Sequence, residues 1–293
     1  MTHSRNQTVF YTAAALIAFA ANSIFCRLAL GGVSIDAASF SAIRLASGAV
    51  TLLMLVIVSR RQVSWKQCGN WTSALMLFLY VITFSFAYRS LSAGTGALIL
   101  FGAVQMTMVL GALRSGESPT RVGWLGIVMA VAGLAYLLLP GLSAPSPAGA
   151  ALMLISGMAW GIYSLLGRQT DGALLNTAGN FIRALPMIAV VSLISIPQMH
   201  ISTEGIILAV LSGALASGVG YAIWYTALTG LTTTHAAVVQ LSVPVLTAIG
   251  GVVFLAEAIS GRLILSSIMI LCGIWLTIIS HNPARNGQSK FFL

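Results

Sequence analysis

Residues 18–27, AFAANSIFCR, and residues 159–168, AWGIYSLLGR, carry Ala, Ser and Arg in the same register, 141 positions apart. Nearly the same spacing returns along the chain. Ile43 and Arg44 fall on Ile182 and Arg183 at an offset of 139, and Phe84, Tyr88 and Leu91 on Tyr221, Tyr225 and Leu228 at 137. Ala97, Gly111, Glu117 and Gly133 fall on Ala237, Gly251, Glu257 and Gly273 at 140. Each match is weak, but a shared offset is the mark of an internal repeat.

Composition says what the repeated unit is made of. Of 293 residues, 58% are apolar and 6% charged, against about 45–50% and about 25% in ordinary soluble domains. With a mean hydropathy of +0.97, the chain has too few charges to cover a surface in water. It also lacks the polar or strictly periodic sequence of disordered chains, collagen and coiled coils. A membrane-spanning helix needs about 20 mostly apolar residues, and such runs cover 9–30, 37–58, 72–91, 94–113, 121–140, 148–167, 176–196, 206–228, 233–255 and 262–280. These use most of the chain, so no separate soluble domain is expected. The repeat therefore comprises five spans. Because five is odd, the second unit enters the membrane from the side opposite to the first, as in alternating-access carriers. The expected fold is an all-α membrane protein of ten transmembrane helices in two inverted five-helix repeats, residues 1–142 and 143–282, with a cytoplasmic tail at 283–293.

The net charge of +9 would suggest nucleic acid in a soluble protein, but here the basic residues mark the membrane boundary. With the N-terminus in the cytoplasm, Arg5, Arg60, Arg61, Lys66, Arg114, Arg121, Arg168, Arg285 and Lys290 fall inside, and Arg27, Arg89 and Arg262 outside. That imbalance places both termini in the cytoplasm, with Trp65 and Trp71 as interfacial anchors. The N-terminal run also resembles a signal peptide with a small-residue cleavage site near Ala20, yet its apolar stretch continues to Leu30 and matches the sixth span. Cys26, Cys68 and Cys272 have no ligand-like spacing, and no metal or cofactor is expected. An intramembrane protease or potassium filter finds only fragments, Ser217-Gly218 without a nearby base and Gly220-Tyr221 without its flanking residues. The chain is read as a non-enzyme.

Polar and aromatic residues inside spans are the candidates for a path, because lipid penalises unpartnered polar groups. Asn22 lies in the first span, Tyr80, Phe84 and Tyr88 step by four in the third, and Phe101 and Gln105 lie in the fourth. Trp160 and Tyr163 share a face of the sixth, Tyr221, Trp224 and Tyr225 cluster in the eighth, and Gln240 lies in the ninth. Core packing accounts for any one of them; together they predict an aromatic-lined central cavity. Pro244 must break a backbone hydrogen bond inside the ninth span and is expected to be the gating hinge. Gly123, Gly126 and Gly133 read as close helix contacts, the last two on one face because they are seven apart. Arg44 and Arg183, at equivalent positions, are expected to bind carbonyls, and Glu257 to pair with Arg262. No acid stands at a span centre, so proton coupling has little support.

The Trp160-Gly161-x-Tyr163 segment, the arginine patterns ending at Arg44 and Arg183, and Glu117 and Glu257 followed by spaced glycines resemble the drug/metabolite transporter superfamily, EamA type, across essentially the whole chain. Tyr221-x-x-Trp224 followed by residues 236–245 is similar to its YddG-like group of aromatic and other amino-acid exporters. The resemblance implies a multi-pass protein of the bacterial inner membrane that moves amino acids outward between its two halves, probing substrate with Tyr80, Phe84, Phe101, Trp160, Tyr163, Tyr221 and Trp224. It implies no nucleic acid and no obligate protein partner beyond the lipid bilayer. Export of drugs or other small metabolites, with or without protons, is the alternative on the same fold. Ala103, where group members can carry a bulky aromatic, is expected to enlarge the cavity and broaden the substrate range.

Overall fold

A computed structural model describes residues 5–59, 68–114, 119–141, 144–167, 172–231 and 233–280. Arg60, Arg61, Trp65, Lys66, Glu117, Arg168, Arg285 and Lys290, used above, lie outside the described residues, as does the tail 283–293. The helices are α1 (Arg5–Gly31), α2 (Ala37–Val58), α3 (Trp71–Ala87), α4 (Ala93–Arg114), α5 (Arg121–Leu138), α6 (Pro147–Gly167) and α7 (Ala173–Ile194). There follow α8 (Thr203–Val210), a π-helical stretch Leu211–Val219 and α9 (Gly220–Leu228) in one unbroken rod, then α10 (Thr233–Gln240), α11 (Ser242–Leu255) and α12 (Gly261–Ile279). Among the described residues no β-strand occurs, only an isolated bridge between Ile35 and Ile201.

Nine helical stretches among the described residues are long and apolar enough to cross a membrane, and α3, at 17 residues, is shorter. It was expected to run to residue 91 but stops at Ala87, where the chain passes through turns. Their outward faces are apolar: Phe10, Val58, Leu125, Val128, Phe254 and Ile268 are all exposed. Such a surface suits acyl chains, whereas a soluble protein rarely shows one. Helix ends are closed by side chains where the sequence offers them. Asp36, Asn70, Thr120, Ser202 and Ser260 each accept backbone N–H groups at a helix start, satisfying donors the helix itself cannot.

The packing follows an exchange pattern. Helix α1 packs on the α8–α9 rod and on α11, while α6 packs on α3 and α4; α2 lies on α7, α4 on α11 and α5 on α12. Swapping the first five spans for the last five converts this set of contacts into itself. Gly126, read as a contact point, is where two backbones meet. A Cβ built on Gly126 would lie 2.4 Å from the Gly273 carbonyl oxygen, and one on Gly273 would lie 2.5 Å from the Gly126 oxygen. The absent side chains let α5 and α12 touch along their backbones, as small residues do in lipid.

Pro244 acts at a distance of one turn. The helical pattern is interrupted at Leu241, four residues after Ala237 and three before Pro244. Proline has no N–H and its ring crowds the carbonyl four positions back, that of Gln240, which is the last residue of α10. The expected kink is thus a break between two helices. The π-helical stretch was not anticipated; its small residues, including Gly213 and Gly218, lie against α2, where a Cβ on Gly213 would meet the Arg44 carbonyl oxygen at 2.2 Å.

Two predictions follow from this packing. Gly126→Ala lowers stability by about 1–3 kcal/mol, the usual cost of overpacking, while Gly261→Ala, with nothing within 4 Å of its Cβ position, leaves it unchanged; thermal unfolding in detergent compares them. Asp36, outside the spans, accepts from the backbone N–H groups of Ala38, Ser39 and His200. Partial burial raises its carboxyl pKa, but the hydrogen bonds from Ser39, His200 and Ala38 outweigh it and hold the group below its ordinary value. A lowered folded value means that the contribution is complete above the ordinary carboxylate range, about 4, and disappears as pH falls through the folded value. Asp36→Ala therefore lowers stability at pH 7 by about 1 kcal/mol, as capping losses do, and flattens the acid limb of the stability profile.

Candidate functional site

A cavity of about 330 Å³ occupies the middle of the bundle. Its deep end is formed by Phe19, Asn22 and Ser23 of α1 and Tyr80 and Phe84 of α3. From there it runs to the bundle end where α3 and α7 begin and α6 and α9 finish, reaching Asn70, Ser73, Gly167, Ala173, Asn176 and Leu228. Among the described residues lining it there is no Asp, Glu, Lys, Arg or His.

Most of the residues expected to line a path do so. Asn22, Tyr80, Phe84, Phe101, Trp160, Tyr163, Tyr221, Trp224, Tyr225 and Gln240 all border the cavity. Helical spacing explains the grouping: α6 presents Trp160 and Tyr163 on one face, and α9 presents Tyr221, Trp224 and Tyr225. The rings form a continuous wall. Trp160 stacks on Tyr163 and Tyr221 with centroids at 5.3 and 5.4 Å and meets Tyr80 at 4.8 Å, while Phe19 bridges Tyr221 and Trp224 at 5.8 Å each.

Two expected residues face elsewhere. Tyr88 is fully buried, edge-on to Phe84 at 4.7 Å, with its hydroxyl donating to the Ala93 carbonyl. Gln105 points into a small void between α4, α5 and α12. On α4 the cavity face holds Leu100, Phe101, Val104 and Met108, which leaves Gln105 on the other side. Ala103 also faces away: a Cβ on Gly157 of α6 would sit 2.5 Å from the Ala103 methyl. Its small size therefore serves the α4–α6 contact and does not widen the cavity.

The polar lining contributed by α7 was missed, although Asn176, Asn180 and Arg183 share one face at spacings of four and three. Asn176 and Asn180 accept the backbone N–H groups of Gly69 and Asn70, each at 2.9 Å, and Asn180 also donates to the Tyr163 hydroxyl at 3.4 Å. Thr177 and Tyr225 share a hydroxyl–hydroxyl hydrogen bond of 2.8 Å. Arg183 donates to the carbonyls of Cys68 and Gly179, as expected. These bonds tie the segment before α3 to the start of α7 without closing the cavity.

The opposite end is sealed. Arg27 of α1 donates through Nε to Glu257 at 3.0 Å and through Nη1 to the Tyr88 carbonyl at 3.1 Å. The second carboxylate oxygen of Glu257 accepts from the backbone N–H of Ala93, at the start of α4, at 2.8 Å. One ion pair thus joins α1, the end of α3, the start of α4 and the end of α11. The expected partner of Glu257, Arg262, instead donates to the Leu139 carbonyl and lies over the Tyr136 ring. The backbone turns through a left-handed Ala256 at φ 52°, which directs Glu257 back toward α1 and away from α12. Asp36, Ile35 and Ser34 join this end to the segment before α8 through His200, Ile201 and Ser202.

The chain matches the EamA-like transporter family over residues 6–139 and again over residues 147–279. It belongs to that family. An EamA-like transporter with these apolar helices is a multi-pass membrane protein. Over 283 residues the chain is 49% identical to an uncharacterized protein of Pseudomonas aeruginosa, covering 96% of this chain and 98% of that one. The threonine/homoserine exporter RhtA of Salmonella typhimurium is 34% identical over 171 residues, covering 56% of this chain and 55% of RhtA. A solved crystal structure shares the fold with a TM-score of 0.63 at 19% identity, over 90% of this chain and 97% of its own.

The seal in this EamA-like transporter has a natural reporter beside it, the buried thiol of Cys26. Glu257→Gln removes the ion pair while keeping its shape. The variant is expected to raise the rate of maleimide labelling of Cys26 several-fold, read by mass spectrometry, whereas Arg262→Gln leaves that rate unchanged.

Proposed function

We propose that this EamA-like transporter exports amino acids across the bacterial inner membrane by alternating access. The observation that carries the reading is the uncharged, aromatic-walled cavity, open along one end of the bundle and sealed at the other by the Arg27–Glu257 pair. In this reading the chain forms ten spans in two inverted five-helix repeats, residues 1–142 and 143–282, with both termini and the tail 283–293 in the cytoplasm. The cavity end at Asn70 and Asn176 then faces the cytoplasm, and the sealed end faces outward. The two matches to a single family at nearly equal length and the exchange-symmetric packing support the repeat, and the relative named as a threonine/homoserine exporter supports the substrate class.

The residues act as follows. Asn22, Tyr80, Phe84, Phe101, Trp160, Tyr163, Tyr221, Trp224, Tyr225 and Gln240 contact the substrate. Tyr88 and Gln105 contribute only through packing. Loss of the Arg27–Glu257 pair lets the outer ends of α1, α4 and α11 separate, and the break before Pro244 lets α10 and α11 move as independent pieces. Hinges of this kind absorb a gate's motion in a few residues. With no acid among the described lining residues, transport runs down the gradient of a cytoplasmic surplus, uncoupled from protons. Flat drugs or other metabolites are the second reading, favoured by the stacked faces of Trp160, Tyr163 and Tyr221.

Proteoliposomes loaded with labelled amino acids test both. Selective efflux that ignores an imposed pH gradient and is lost in folded Trp160→Ala and Tyr221→Ala variants is the expected result. Gradient-dependent efflux contradicts the uncoupled mechanism. Amino-acid efflux that survives both substitutions contradicts the cavity assignment, and efflux of drugs alone selects the second reading.

A further inference from the structure

The guanidinium of Arg44 is the largest fully buried side chain of the described residues, and it lies behind the deep end of the cavity. It packs against two rings that line that end, with its Cζ 5.2 Å from the Tyr80 centroid and 5.0 Å from that of Phe84. Among the described residues Nη2 donates to the Tyr80 hydroxyl at 3.0 Å, and Nε and Nη1 have no hydrogen-bond partner. Its repeat counterpart Arg183 satisfies itself on carbonyls; Arg44 does not. Nor does an acid neutralise it. Asp36 caps α2, Glu204 accepts from Ser34 and Glu257 holds Arg27, while Glu117 and Asp171 lie outside the described residues. A lone cation at this depth is costly unless something pairs with it.

The hydroxyl of Tyr80 shows what that partner is. Besides Arg44 it accepts from Asn22 Nδ2 at 3.5 Å, and Asn22 is oriented by Ser212, whose hydroxyl donates to Asn22 Oδ1 at 2.7 Å. A phenol has two acceptor lone pairs and one proton. With both lone pairs facing donors, what remains is the proton, polarised by a full positive charge behind it. A donor of this kind, at the floor of an otherwise uncharged cavity, selects a negative acceptor.

We propose that Tyr80, backed by Arg44, forms an anion subsite at the floor of the cavity that binds the carboxylate of the transported molecule. The proposal rests on the export reading for the cavity being the substrate path, and it deepens that reading by setting the charge of what is carried. Tyr80 makes the contact, and Arg44 is a positioning residue that supplies charge from behind. Zwitterionic amino acids and simple carboxylic acids are preferred over their amides and over cationic amphiphiles.

The test is calorimetric titration of the purified full-length protein with threonine, leucine and phenylalanine, each alongside its amide and its deaminated acid. The carboxylates are expected to bind about tenfold or more tightly than the amides, the scale of one charge-assisted hydrogen bond. Arg44→Gln abolishes this preference, and Arg44→Lys, which restores the charge, recovers part of it. Wild-type protein that binds amides as tightly as acids overturns the subsite but leaves amino-acid export standing. Binding of the deaminated acids without the amino acids keeps the subsite and contradicts amino-acid export. Binding of none overturns both. The wild-type comparison alone decides the matter should Arg44→Gln fail to fold.

Discussion

Hydrocarbon offers no hydrogen bonds, so every polar group carried into it must find its partner within the protein. This constraint orders the molecule. Outward faces are apolar, and three hydrogen-bonded polar groups lie along one axis through the middle of the bundle. At one end stand Arg27 and Glu257 with the Tyr88 carbonyl and the Ala93 N–H. In the middle are Arg44, Tyr80, Asn22 and Ser212. At the other end are Asn176, Thr177 and Asn180 with Tyr163 and Tyr225. The cavity lies along the second and third of these groups, and the first closes it.

Within the described spans, two departures from regular α-helix lie beside that axis. The π-helical stretch places Ala216 and Ser217 at the cavity, and short π segments often occur at functional positions. The break at Leu241 lies next to Gln240, another lining residue. Away from the axis, α5 and α12 are held by direct backbone contact at Gly126 and Gly273. The scaffold is thus tightest away from the cavity and irregular beside it. The seal is of a kind that can be undone, because one carboxylate carries two of its three links and the Arg27 guanidinium the third.

Sequence pattern made the helices legible because lipid demands long apolar runs, and it exposed the aromatic wall because residues three and four apart share a face. The seven-residue spacing of Gly126 and Gly133 marked one packing face of α5, and both glycines meet α12. Pairing was harder to read, since it depends on which helices adjoin. Glu257 was assigned to nearby Arg262, yet a left-handed turn at Ala256 delivers it to Arg27, 230 residues away in sequence. Arg44 and Arg183 looked equivalent, but one meets carbonyls and the other aromatic rings. Gln105 and Ala103 were misplaced because periodicity identifies faces without saying which face meets the cavity. The polar stripe of α7 was legible and was passed over, its asparagines being less conspicuous than the rings they face.

In the proposed mechanism the cavity becomes a transport path only when the end sealed by Arg27 and Glu257 opens. The most direct test places cysteines at both positions in a Cys26→Ala background and bridges them with a short bifunctional thiosulfonate in proteoliposomes. Bridging is expected to stop efflux and reduction to restore it, while substrate still binds to the bridged protein from the Asn70 end. Efflux that continues unchanged with the bridge in place would contradict the mechanism.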